Sequence, residues 1–320
     1  MTTYLIGRLG QGIFVLLVVS ILAFVLLHLA PGDPAALLYG PDLSAEELRA
    51  VRTAWGLDDP LPVQYVRWLS RFLQLDFGRS FADGRPARDV ILERLPATLY
   101  LTLSALGLAL VFGVTAGIVS ALRPLSWLDY TITTVSTVLY SAPNFWLGLL
   151  LVLVFSVWLG WLPSAGMQSV RGPTSPGDRF AHLILPAFVL SLREVASLTR
   201  YTRAGMVEVL SQDYIRLARA KGLPEYRVIV DHAFRNAALP VITLVGLFIP
   251  RLVGGSVVVE TLFSWPGMGR LVVEAAFARN YPVLMGEVVL VGAVVILGSL
   301  LADLAYGLAD PRIRYDGRRR

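Results

Sequence analysis

The chain has 320 residues, of which 55% are hydrophobic and only 16% charged. A water-soluble domain carries about 25% charged residues, so this composition excludes an ordinary soluble globule and points to an all-α protein that crosses a membrane several times. There is no cysteine, which removes disulfides, thiolate metal sites and cysteine nucleophiles, and the formal charge of +5 fits arginine held on the inner side of a membrane better than a nucleic-acid partner.

Six transmembrane helices are predicted from the apolar runs. The first covers about Leu9–Ala30. Its uncharged core is long for a signal peptide, and Pro31-Gly32-Asp33-Pro34 follows in place of a cleavage site. The loop of roughly 31–95 is expected to fold as a small helical domain outside the membrane. Ser44 and Glu47 have the spacing of a capping box, and a second helix starts near Pro62 with Tyr65, Val66, Leu69, Phe72 and Leu73 at helical period. The second span, about Ala97–Leu122, carries no charge. The third lies in the uncharged stretch Tyr130–Leu162, which is too long for one crossing. Pro143 is expected to kink or split it, leaving Phe145–Trp161 as the spanning part. The fourth, about Leu183–Tyr201, is interrupted by Arg193 and Glu194. The fifth, about Pro240–Val259, contains Arg251, and the sixth, about Pro282–Tyr306, contains Glu287 and Asp303.

Arginine counts in the short loops place both termini inside the cell. The segment between the fourth and fifth spans is rich in Arg, yet it keeps Met206, Val207, Val209, Leu210, Tyr214, Ile215, Leu217 and Ala218 near helical spacing until Gly222 and Pro224 end the helix. Such a helix either docks on a soluble protein or lies on anionic lipid. The charges inside the spans, Arg193, Glu194, Arg251 and Glu287, either pair with one another or with a second chain, or line a translocation pathway. Trp146, Trp158 and Trp161 read as interfacial anchors. Catalysis has little support. The only lysine, Lys221, has no P-loop around it, and no His-Glu-x-x-His or Gly-x-Ser-x-Gly is present. A stand-alone secondary transporter is the rival to an ATP-driven one.

Several segments together resemble a known family. They are Leu29-Ala30-Pro31-Gly32-Asp33-Pro34, Asp76-Phe77-Gly78-Arg79-Ser80 and Ala142-Pro143-Asn144-Phe145-Trp146-Leu147-Gly148. With them go Tyr214-Ile215-Arg216-Leu217-Ala218-Arg219-Ala220-Lys221-Gly222-Leu223, His232-Ala233-Phe234-Arg235-Asn236, Glu260-Thr261-Leu262-Phe263-Ser264-Trp265-Pro266-Gly267-Met268-Gly269 and Asp303-Leu304-Ala305-Tyr306-Gly307. In this order they resemble the permease subunits of dipeptide/oligopeptide-type bacterial ABC importers, although Asn280 stands where that family usually has Asp.

The resemblance implies the type I importer permease fold. Residues 1–95 would form a first helix with its outer loop domain, and 96–320 a permease core with a coupling helix at about 205–224. It implies a multi-pass chain of the bacterial inner membrane that forms half of a peptide pathway with a second homologous permease. Two ATPase subunits would bind ATP and Mg²⁺, this chain needing no cofactor of its own, and an external binding protein would deliver the substrate. Other carriers of the class move nickel complexes, glutathione, sugars or opines. On this resemblance Tyr214, Leu217, Ala218, Lys221 and Gly222 couple to the ATPase. Trp265, Pro266, Gly267 and Met268 meet the binding protein, and Arg193, Glu194, Arg251 and Glu287 belong to the pathway.

Overall fold

The computed structural model describes residues 2–29, 32–33, 35–36, 44–169 and 175–309, the side chains of 2–5, 239–240, 243, 249–255 and 301–309 excepted. The helices are α1 Thr2–Leu29, α2 Ala45–Trp55, α3 Leu61–Phe72, α4 Ala87–Leu122, α5 Trp127–Ser141 and α6 Asn144–Trp158. They continue as α7 Pro176–Leu210, α8 Asp213–Ala220, α9 Arg235–Leu262, α10 Met268–Phe277 and α11 Tyr281–Ala309. Among the described residues four helices are long and apolar enough to cross a membrane, and α5 with α6 makes a further, broken one. α9 has 28 residues, about 42 Å at 1.5 Å per residue, and occupies the fifth predicted position.

Two compact units emerge, Met1–Thr98 with Pro266–Ile296, and Leu99–Trp265 with the remainder of the chain. In the first unit the capping box forms as expected. The Glu47 N–H donates to Ser44 Oγ at 3.3 Å, and the Ser44 N–H donates to Glu47 Oε2 at 2.8 Å. α3 docks on α1 through a hydrogen bond of 2.8 Å between the Tyr65 and Ser20 hydroxyls and through the edge of Tyr65 on Phe24. Val66 and Leu73, at the same helical period, are exposed. The core joins Phe77, Ile91, Met268, Leu271, Val283 and Leu284. Asn280 fixes the Asp76–Ser80 loop to this core. Its Oδ1 accepts the Phe81 N–H at 3.0 Å, and its Nδ2 donates to Ser80 Oγ at 2.9 Å. Asparagine can both accept and donate here, whereas an ionised Asp only accepts.

In the second unit α7 is the axis. The second half of α4, then α5, α6 and α9 all pack on it. Gly113 and Gly117, one turn apart on α4, let the two helices approach closely. A methyl group on Gly113 would stand 2.9 Å from the Val195 carbonyl oxygen, and one on Gly117 would stand 2.8 Å from that of Thr199.

Pro143 divides the third predicted span. α5 and α6 meet at 106°, and α6 ends at Trp158, short of the Trp161 expected. Its 15 residues make about 22 Å, less than the roughly 30 Å hydrocarbon thickness, so α6 alone does not span. The fourth predicted span grows in both directions to the 35 residues of α7.

Gly113→Ala and Gly117→Ala are each expected to destabilise the protein by about 1–3 kcal/mol, because the new methyl meets backbone that cannot turn away. Gly107→Ala, on the same helix with nothing within 4 Å of the added carbon, is expected to be neutral or mildly stabilising. Thermal unfolding of the purified variants in detergent checks the contrast.

Candidate functional site

α7 breaks at Ser211 and the chain turns into the eight-residue α8. Ile215 and Ala218 lie one turn apart and are buried against Met206, Ala121, Val228, Ala233 and Ala237. The neighbouring stripe is uncovered, with Tyr214 43% and Leu217 56% exposed, and Lys221 follows on it. Ala218, expected among the outward anchors, therefore belongs to the inner face, three residues after Ile215. Gly222 has φ +77°, a left-handed conformation that glycine adopts without strain, as the sequence led us to expect. Across this turn Arg219 grips Glu225 with two bonds, at 2.7 and 3.2 Å. The guanidinium holds the Glu225 carboxyl below its ordinary range. The pair is thus complete at neutral pH, and its contribution is lost only as pH falls through that depressed value. The Tyr214 hydroxyl accepts from Asn236 Nδ2 at 3.1 Å, which orients the exposed ring.

Directly behind α8 lies an ion pair that sequence reasoning passed over. Asp129, 2% exposed near the start of α5, receives Nε and Nη2 of Arg203 on α7, both at 2.6 Å. Ser120 of α4 donates to the same carboxylate, and so does the Leu125 N–H at 2.9 Å. Three helices and one turn thus meet on a single side chain. In the sequence Arg203 is one arginine among many between the fourth and fifth spans. The usable signals were the Ser126-x-x-Asp129 cap and the isolation of Asp129, the only acid between Arg123 and Leu162.

Of the charges expected in the pathway, Arg193 and Glu194 point to different sides of α7. Glu194 is buried, while the Arg193 side chain is exposed and its guanidinium carbon sits 5.1 Å from the centre of the Tyr140 ring. Arg200, also exposed, approaches the same ring at 4.5 Å. Such contacts contribute about 0.5–2 kcal/mol, depending on how dry they are. Glu287 is fully buried in the first unit. The Arg251 side chain and that of Asp303 lie outside the described residues.

The turn expected to meet a binding protein is corrected. Trp265 is fully buried and stacks on Tyr100 at 6.3 Å, and Gly267 and Met268 are buried as well, leaving only Pro266 partly open. Trp265 is a core residue and not a docking patch, because its indole fills the space beside α4. In that part of the chain the exposed aromatic is Phe277, 85% open at the end of α10. Within the first unit, α2, α3 and the 76–84 loop enclose a cavity of about 940 Å³ whose wall carries Arg67, Arg71 and Arg79.

A bundle of apolar helices around one axis, with a short amphipathic helix mounted on a braced end, defines a membrane transport subunit. The chain belongs to the family of binding-protein-dependent transport system inner membrane components, which matches residues 113–315 and, through its N-terminal part, residues 1–102. The oligopeptide transport system permease protein AppB of Bacillus subtilis is 48% identical over 316 residues, 98% of this chain and 100% of AppB. The glutathione transport system permease protein GsiC of Escherichia coli is 43% identical over 315 residues, 98% of this chain and 100% of GsiC. Inward-facing structures of the MetNI methionine ABC transporter share the fold, with a TM-score of 0.57 at 17% identity over 69% of this chain and 96% of theirs.

Removing Arg203 (Arg203→Met) strands a buried carboxylate and is expected to cost about 3 kcal/mol, the lower end for a broken buried pair because the guanidinium is partly exposed. Adding Asp129→Asn should recover part of that loss. A double-mutant cycle on thermal unfolding measures the coupling.

Proposed function

We propose that this chain forms half of the translocation pathway of an ATP-driven importer for peptides, delivered by an external binding protein, with separate ATPase subunits docking beneath α8. The observation that carries the reading is the two-sided character of α8. Its inner stripe is sealed into the core, and its outer stripe presents Tyr214 and Leu217 with a basic rim. An apolar stripe left open on a helix this firmly mounted fits a protein groove. The family supports the importer class and sets aside a stand-alone secondary transporter. The relatives support the substrate, since AppB is named for oligopeptides and GsiC for glutathione, itself a tripeptide. A second homologous permease completes the pathway. Both termini and α8 lie on the cytoplasmic side, in keeping with the arginines gathered there.

The mechanism follows from the mounting. Closure of the ATPase pair displaces α8, and the cluster around Met206 and Ile215 carries that displacement into α7. The Asp129–Arg203 pair then obliges α4 and α5 to move with it, as a rigid-body shift rather than a bend. ATP and Mg²⁺ bind the partner ATPases, and this chain supplies motion and selectivity.

Two expectations test the reading. Leu217→Asp should release the ATPase subunits during purification and abolish uptake while leaving the permease folded. Ile215→Asp should unfold the permease itself, because its side chain is fully buried. Identical behaviour of the two would refute docking on the outer stripe. A photo-crosslinking residue at Phe277 is expected to capture the binding protein, and one at Trp265 to capture none. Mass spectrometry of the adducts decides.

A further inference from the structure

Arg193 and Arg200 are seven residues apart on α7, two helical turns, and therefore share one side of it. Most of the most apolar part of α7 is enclosed, yet both of these side chains are exposed. Arg193 is the central residue of the helix Pro176–Leu210, about 25 Å from either end. Both guanidinium groups are drawn to one ring, Tyr140, at 5.1 and 4.5 Å. Among the described residues neither makes a salt bridge, in contrast to Arg203 one turn further on, whose charge is matched by Asp129.

A tyrosine ring does not neutralise two cations. It positions them, while their mutual repulsion still opposes the arrangement. What completes it is an anion shared between them. The planar guanidinium fork matches the two oxygens of a carboxylate, which can bridge two arginines.

We propose that Arg193 and Arg200, spaced by Tyr140, form a carboxylate-binding strip in the pathway that takes the C-terminal carboxylate of a passing peptide. This deepens the peptide-importer reading and rests on it. The strip ends one turn from Arg203, so the group that holds the substrate is carried by the same helix that responds to α8.

The test uses the complete transporter with its binding protein, reconstituted in vesicles. Uptake of a peptide with a free C-terminal carboxylate is compared with that of its C-terminally amidated form, and the ratio of the two is read for each variant against the wild type. The binding protein's own preference is common to all and cancels. In the double variant Arg193→Gln, Arg200→Gln the acid-to-amide ratio is expected to fall about tenfold, as for loss of one charge-assisted hydrogen bond, and by less in each single variant. Arg193→Lys and Arg200→Lys, which keep the charge, are expected to retain most of the ratio.

A ratio unmoved in the double variant overturns the strip, whatever happens to the absolute rates. Failure of every substitution, lysine included, to assemble with the partner chains overturns it in favour of contact with the second permease. A wild-type complex that accumulates neither peptide refutes the parent reading, and the strip falls with it. Wild-type uptake of both peptides with an unchanged ratio in the variants refutes the strip alone.

Discussion

One carboxylate holds the second unit together. Asp129 is almost wholly enclosed, and a buried charge of that kind persists only when its oxygens are satisfied. Arg203 supplies two bonds, Ser120 one and the Leu125 N–H another. Each donor comes from a different place along the chain, so any relative shift of α4, α5 and α7 would leave a desolvated oxygen behind. The penalty for such a shift is steep and local, unlike hydrophobic packing, which yields gradually. The three helix ends are therefore bound to move together or not at all. The Gly113–Gly117 contact adds a steric counterpart higher on the same pair of helices, where backbone meets backbone.

That constraint gives α8 its meaning. An eight-residue helix is too short to be stable alone in water. It is held by Ile215 and Ala218 from inside, by the left-handed turn at Gly222 and by the Arg219–Glu225 pair across that turn. These supports occupy one side and the end of the helix and leave the Tyr214–Leu217 stripe open. A push on that stripe is not absorbed by local fraying, because the inner stripe is fused to Met206, one turn from Arg203. The open stripe and the ion pair are joined through that inner packing.

How much of this was legible beforehand depended on the range of the interactions. The capping box at Ser44, the break at Pro143 and the end of α8 at Gly222 are written in residues within a turn of one another, and all three appear where they were expected. The span expected at Leu183–Tyr201 is bounded by hydropathy, whereas the helix itself carries on to Leu210 beyond the apolar window. Ala218 falls on the other stripe because Tyr214/Leu217 and Ile215/Ala218 are both apolar pairs at helical spacing. Only the core behind them decides which turns inward. Trp265 and Asn280 were harder still. The indole's partner Tyr100 is 165 positions away, and Asn280 answers to Ser80 and Phe81 across some 200. No local pattern announces that an apolar turn beside a predicted membrane boundary will fold inward.

The arginines of α7 show how one helix separates structure from passage. Arg203 and Arg200 are three residues apart and chemically identical, yet one is tied by two bonds to a buried acid and the other rests on a phenol ring. The difference lies in what α5 offers at each height, Asp129 at its first turn and Tyr140 at its last. An acid neutralises an arginine and makes it structural, whereas a ring orients an arginine and leaves its charge available. Exchanging the two on α5 would place an ion pair at the middle of α7 and an unsatisfied cation behind α8. The order of Asp and Tyr along α5 thus gives Arg203 and the arginines nearer the middle of α7 different surroundings, and Pro143, just beyond Tyr140, ends α5.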